Sequence, residues 1–348
     1  MVSRRTFLKV GGLSAAALAL SRATGAAAQA SFPTGPDVVL GRVAWPWGVT
    51  VLTRPRPEGA VVRTVYPDEL VQIRREVVGL GIMPHNHVWY ELDDGFIYSS
   101  HVVPCHNWPQ PVLSSLPPSG LWGEVMVPFV EGRAAPDPGA AVKYRMYSHA
   151  VYRLFEITPG TDGQVWYRAG TEVTPFLYAP APAFRVIDPS EVTPISPEVS
   201  DKVMVIDLSR QTLTAVEGKA EVFRTRIASG AQFFGEDGQT LQGGSTVGAK
   251  YIWQKRYSRQ MQGGTRENGW DIPGVPWVSY YAGNGEALHA AYWHNDFGRA
   301  KSRGCINLRP ADALWLFRWT LPVVAYDPGD ITVNMSNPGS LVDIRVRV

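Results

Sequence analysis

From Gly41 onward the chain alternates apolar and polar residues in short runs, the period-two pattern of half-buried strands. Val88-Trp89-Tyr90-Glu91-Leu92 and Phe96-Ile97-Tyr98-Ser99 flank Asp93-Asp94-Gly95, which predicts a hairpin. Val151 to Ile157 and Gln164 to Arg168 flank Thr158-Pro159-Gly160-Thr161-Asp162-Gly163 and predict another. Val203 to Leu208 reads as a strand, Thr212–Val216 and Ala220–Ser229 as a hairpin around Glu217-Gly218-Lys219, and Lys250 to Lys255 as a further strand. One stretch changes period. Between Pro310 and Trp319, Leu314, Trp315 and Phe317 supply the buried face of a helix, with Pro310 suited to its first turn. Pro322 to Tyr326 then reads as a closing strand, and Ile331-Thr332-Val333 and Ile344-Arg345-Val346 as two more. Gly243-Gly244, Gly248, Gly263-Gly264 and Gly269 suit mobile loops over a site.

Composition agrees with a β-rich globular chain. The 348 residues are 45% hydrophobic and 18% charged, with 34 Gly and 28 Pro, which excludes disorder and suggests two or three domains. Pro109 to Pro118 reads as a linker or loop, and Asp188 to Pro197 as a joint between domains. Val-Trp-Tyr occurs at 88–90 and again at 165–167. This fits duplicated small barrels, and equally the ordinary preference of these residues for strands.

The first 30 residues change the charge. Ser3-Arg4-Arg5-Thr6-Phe7-Leu8-Lys9 is a twin-arginine pattern, an apolar run too short to span a bilayer reaches Leu20, and Ala28-Gln29-Ala30 offers a cleavage site. The expectation is export by the twin-arginine route to a periplasmic or wall-facing location, with no transmembrane span once the signal is removed. Losing its four basic residues and no acid turns the net charge of +2 into −2. A nucleic-acid partner is therefore not expected. Export also permits a disulfide between the two cysteines, Cys105 and Cys305, which would silence both thiols.

Cys305 follows Gly304 and precedes Ile306-Asn307-Leu308, with His289 and His294 upstream. A free thiol is mostly protonated at neutral pH, and a nearby imidazole can take its proton. Gly304 lets a substrate carbonyl approach the backbone, where the amides of Gly304 and Cys305 could donate to an oxyanion. From the residues alone a buried structural cysteine competes with this reading. His294 is the other candidate base; beside Asn295-Asp296, which looks like a loop, it reads rather as a surface or structural histidine. His85, His87, His101 and His106 gather around Cys105 and could mark a zinc or copper site. They lack paired ligand spacing, and Pro84 suggests a loop, so no metal is expected.

The stretch from Lys202 to Tyr326 resembles the L,D-transpeptidase catalytic domain of the YkuD family. Its motif, a histidine followed by Ser/Thr-His-Gly-Cys, an apolar residue and Asn or Arg, is matched by His289 and by Ser302-Arg303-Gly304-Cys305-Ile306-Asn307. Asp207 to Leu213 looks like the family's opening strand, and Ser245-Thr246-Val247-Gly248 like its Thr-Pro-x-Gly turn without the proline. The resemblance implies Cys305 as nucleophile, His289 as base and the Ala290 carbonyl as its orienting group. Ser302, Gly304 and Asn307 fill the remaining motif positions, and Trp293 and Tyr280 are expected to line the substrate cleft or pack in the core. Arg303 departs from the motif histidine. It is always charged and cannot act as a base, so it is expected to favour thiolate or bind a carboxylate.

The resemblance further implies peptidoglycan stem peptides as substrates, 3→3 cross-linking through a cysteine thioester, and no cofactor. Carboxypeptidase trimming, attachment of a protein to the wall, and a non-catalytic wall-binding protein with a decayed catalytic domain stay open. Tyr66-Pro67-Asp68-Glu69-Leu70-Val71, Arg75 to Gly79 and Val88 to Pro104 resemble a bacterial SH3-like domain. The expected fold is mainly β: a catalytic β-sandwich with one helix, preceded by one or two small SH3-like barrels. The expected boundaries are a signal at 1–30, an SH3-like domain at 31–115, a second small β domain and linker at 116–197, the catalytic domain at 198–328 and an extension at 329–348.

Overall fold

The computed structural model describes residues 32–171, 176–234, 240–242, 244–264, 269–334 and 336–346. The expected export signal lies outside the described residues, as do parts of the glycine-rich stretches near 243 and 265. The fold is mainly β, with one α-helix at Pro310–Trp319 among the described residues. No helix there is long and apolar enough to cross a membrane.

The hairpins form where the pattern puts them. Asn86–Glu91 pairs with Phe96–Tyr98, Val151–Pro159 with Val165–Gly170, and Thr212–Glu217 with Ala220–Arg226, all antiparallel. Pro322 to Tyr326 forms no strand. Pro322 has no N–H to give a ladder, and its carbonyl accepts instead from the Lys255 ammonium at 2.8 Å. The last pieces join sheets: Asp330–Thr332 lies against Gln254–Gly263, and Leu341–Arg345 runs parallel to Lys202–Asp207.

The expected SH3-like barrels are absent as separate units. Four larger sheets, one of seven strands and three of five, belong to one integrated body. The expected second barrel is the seven-stranded sheet, and the first block divides between a five-stranded sheet and a three-stranded one. Burial explains the difference. Trp122, Val151, Ile187 and Val192 share one core with Met204, Ile206, Trp277 and Phe317. A second core packs Tyr152, Tyr167 and Phe184 against Tyr292. Polar bonds cross the same boundaries. Arg42 donates to the Tyr292 carbonyl at 3.2 Å, and Arg153 donates to Asp327 at 2.7 Å. A catalytic sandwich behind independent barrels would need a separate core in each unit; here these two cores join the second block to the catalytic segment, and the first block, whose own core holds Val51, Tyr90 and Ile97, is bonded to that segment through Arg42.

Two elements carry the site. Ala287–Ala290 and Ile306–Leu308 pair in parallel, with His289 opposite Asn307. The helix follows at once, and its Leu316 and Phe317 pack into the same core as Leu288, Ile306 and Leu308. The strand pair is thus seated on a rigid base, which holds the side chains of 289 and 307 in fixed register.

Candidate active site

A cleft of about 940 Å³ opens over this strand pair. Cys305, His289, Asn307, Arg303, Gly304, Ser302, Trp293 and Tyr280 all line it. Cys305 is a free thiol, and so is Cys105, so the disulfide does not form. Cys105 sits in a small core with Leu40 and Leu70, where burial pushes its thiol up to about 12.

The turn before the sulfur explains its residues. Gly304 has φ +122°, a conformation that side chains rarely adopt. The Ser302 hydroxyl accepts from the Gly304 amide at 3.2 Å and donates to the Cys305 carbonyl. Ser302 therefore ties the turn, and it occupies the Gly304 donor that the sequence suggested for an oxyanion. The Gly304 carbonyl accepts from the Ser245 hydroxyl at 2.7 Å, and that hydroxyl accepts from the Gly230 amide at 2.8 Å. Beside them Glu286 takes the Thr246 amide and hydroxyl at 3.1 and 2.5 Å, locking Ser245-Thr246 to the loop before His289.

Burial pushes the Cys305 thiol up to about 11; the Ala287 amide opposes this and the Glu286 charge adds to it. Burial pulls His289 down to about 4, against the Ala290 carbonyl that favours its charged form. At neutral pH the resting pair is therefore thiol and neutral imidazole, not the ion pair that the sequence suggested. The His289 Nδ1–H donates to the Ala290 carbonyl at 2.9 Å, the orientation expected from the resemblance. Nε2 accepts from Asn307 Nδ2 at 3.1 Å. Cys305 Sγ points its hydrogen at the Gly285 carbonyl, 3.9 Å away. Sulfur and imidazole thus share a cleft without being hydrogen-bonded to each other.

Trp293 stands 5.7 Å from the His289 ring and also packs on the core around Ala228 and Phe297, so it belongs to both cleft and core. Tyr280 does the same beside Val275 and Val278. Arg303 lays its guanidinium over Trp270, 4.7 Å from the ring centre.

Of the two readings that the sequence left for His294, surface or structural, the structure shows the second. The residue is 4% exposed, not a surface residue, and its Nε2 lies 3.1 Å from Asn307 Oδ1. Its one signal was the polar pair Asn295-Asp296 that follows, which suggested a loop but not its burial. The other histidines disperse. His85 donates to Asp296 at 2.8 Å, His87 accepts from the Gly81 amide, His101 packs on Trp45, and His106 packs on His149. No group of three or more His, Cys, Asp or Glu is placed to hold a metal among the described residues.

A partly exposed cysteine, a buried imidazole with an oriented Nδ1–H, and a glycine turn thus meet at one cleft, the residue types that nucleophilic catalysis by cysteine uses. Residues 201–344 match the family model of the L,D-transpeptidase catalytic domain, YkuD, so this segment is of the L,D-transpeptidase type. Solved structures align weakly. The L,D-transpeptidase from Stackebrandtia nassauensis is 21% identical, with 42% of this chain and 56% of that one covered and a TM-score of 0.28. That from Xylanimonas cellulosilytica is 24% identical, with 44% and 63% covered and a TM-score of 0.30. The L,D-transpeptidase from Mycobacterium smegmatis is 15% identical, with 79% and 99% covered and a TM-score of 0.32. The chain spans between 51% and 63% of the first four solved chains it matches. No curated protein matches it.

Proposed function

We propose that the 201–344 segment is a peptidoglycan L,D-transpeptidase that works through a thioester at Cys305. The observation that carries this is one cleft holding Cys305 and a His289 whose Nδ1–H is fixed on the Ala290 carbonyl. That bond leaves Nε2 as the proton acceptor. With the thiol near 11 and the imidazole near 4, a standing thiolate is disfavoured, so the proton moves as the sulfur attacks.

In the first half-reaction Sγ bonds the carbonyl carbon of the third stem-peptide residue while Nε2 takes the thiol proton. The tetrahedral oxyanion then collapses. The C–N bond breaks, the imidazolium returns its proton to the leaving amine of the terminal D-alanine, and a thioester remains. An amine of a neighbouring stem attacks that thioester, gives a proton to Nε2, and the thiolate leaves and is reprotonated, forming a 3→3 cross-link. Water in place of the amine gives trimming. The cation of Arg303 suits a donor carboxylate in the same cleft. The location we propose is outside the cytoplasm, after export through the Ser3-Arg4-Arg5 segment.

The test is intact mass after incubation with a carbapenem. A covalent adduct on wild type and on Cys105→Ala, lost in Cys305→Ala, supports the reading. Release of D-alanine from a purified disaccharide-tetrapeptide tests the reaction, and cross-linked dimer against tripeptide alone tells the acceptor. No adduct and no release would return the chain to a binding role.

A further inference from the structure

An unbroken chain of hydrogen bonds leads away from His289, and both of its ends are backbone groups. At one end the Asp296 amide donates to His294 Nδ1 at 3.2 Å. Nδ1 must therefore be the unprotonated nitrogen of that ring, and Nε2 carries the hydrogen. Nε2 lies 3.1 Å from Asn307 Oδ1, so the amide of Asn307 presents its oxygen to His294 and its nitrogen to His289. Asn307 Nδ2 then donates to His289 Nε2 at 3.1 Å, and His289 Nδ1–H donates to the Ala290 carbonyl at 2.9 Å. A peptide N–H only donates and a peptide carbonyl only accepts, so each flip and tautomer along the line has one solution.

The line is anchored from the N-terminal block. The Asp296 carboxylate accepts from His85 at 2.8 Å, from Arg299 at 2.6 Å and from Lys301 at 3.3 Å. Next to it Asn295 donates to the Tyr90 hydroxyl at 2.8 Å. His294 itself is sealed between Phe297, at 4.9 Å between ring centres, and Trp293. Its motif position gives no hint of this, because Arg303 stands where the family motif has its second histidine.

We propose that His294, held in place by Asp296 and by His85 of the N-terminal block, is the positioning residue that sets Asn307 and through it the tautomer of the base His289. Asn307 is a placeholder: it keeps the Nε2 lone pair aimed and unprotonated until the thiol of Cys305 displaces its N–H. The catalytic part of this role rests on the transpeptidase reading; the direction of the bonds does not.

Nitrogen-15 spectra of histidine-labelled full-length protein, assigned by single substitutions, test it first. His289 is expected as the Nδ1–H tautomer and His294 as the Nε2–H tautomer; either ring in the opposite form overturns the proposal. The second measurement is the rate of carbapenem acylation at Cys305. His294→Leu is expected to slow it by about 100-fold, the scale of a misplaced catalytic group. His294→Gln, whose side-chain amide can donate to Asn307 Oδ1, is expected to recover most of that loss. A folded His294→Leu protein with the wild-type rate, or a Gln variant as slow as Leu, sinks the proposal. Should the Leu variant not fold, or wild type not acylate, the tautomers of the wild-type protein decide. Expected tautomers in a protein that releases no D-alanine would leave the relay standing and remove the transpeptidase reading.

Discussion

Cys305 is held as a thiol. With its pKa pushed up to about 11, only about one molecule in 10⁴ carries a thiolate at pH 7. Alkylation by iodoacetamide should therefore climb about tenfold per pH unit from 7 to 10. A plateau below pH 7, the mark of a standing ion pair, would show that the imidazole holds the proton at rest. His289 and His294, both pulled to about 4 by burial, make the opposite demand on the fold. The unfolded chain takes up protons near pH 6.5 and the folded one does not, so stability falls as pH drops from 6.5 to 4. The loss should reach about 3 kcal/mol per buried imidazole, read from denaturant midpoints across that range. A flat stability between pH 7 and 4 would mean that the rings protonate in the folded state. The sequence made Cys305, His289 and Asn307 legible because they stand in one motif. His294 was not, since its bond to Asn307 depends on how the loop after His289 folds back over the paired strands.

The helix Pro310–Trp319 shows how a short element is held by groups from elsewhere. Its last carbonyls point to one end, where the helix dipole is negative. Lys255, 1% exposed, donates to the carbonyls of Phe317, Thr320 and Pro322 at 2.6, 2.7 and 2.8 Å. Lys202, 2% exposed, donates to those of Trp319 and Ile195, both at 2.8 Å. Burial pulls Lys255 well below its usual pKa, yet three acceptors match the three hydrogens of an ammonium and not the two of an amine. Lys255→Met would strand three carbonyls, two of them buried, and should cost at least about 2 kcal/mol in chemical denaturation. Less than about half of that would mean that water replaces the ammonium. The helix itself was readable from Leu314, Phe317 and Pro310. Its lysine caps were not, because a Lys in a strand pattern reads as a solvent-facing residue.

Over the whole molecule the sequence reading failed where burial is long-range. Val-Trp-Tyr at two places gives strands correctly, but says nothing of what Trp122 and Tyr152 pack against. Gly274 marks one such meeting. It has φ +65°, and a Cβ there would lie 2.5 Å from the ring of Tyr152 on the seven-stranded sheet. Gly274→Ala should destabilise the protein by about 1–3 kcal/mol in one cooperative transition. A separate early transition of the N-terminal half would mean that the sheets are independent after all. The same closeness ties the site to distant residues: His85→Leu removes one of three hydrogen-bond donors from the Asp296 carboxylate, and should slow acylation at Cys305 more than a substitution at exposed Trp47 does.

The strand Leu341–Arg345 lies between Lys202–Asp207 and Gly248–Tyr251, so an interior place in that sheet is filled by residues near the end of the sequence. A ribosome making this chain has already extruded both neighbours before it reaches them. Until then the two strands stand with a gap between them, and a nick or stop anywhere before Leu341 leaves both with a raw edge, open to any passing β-segment.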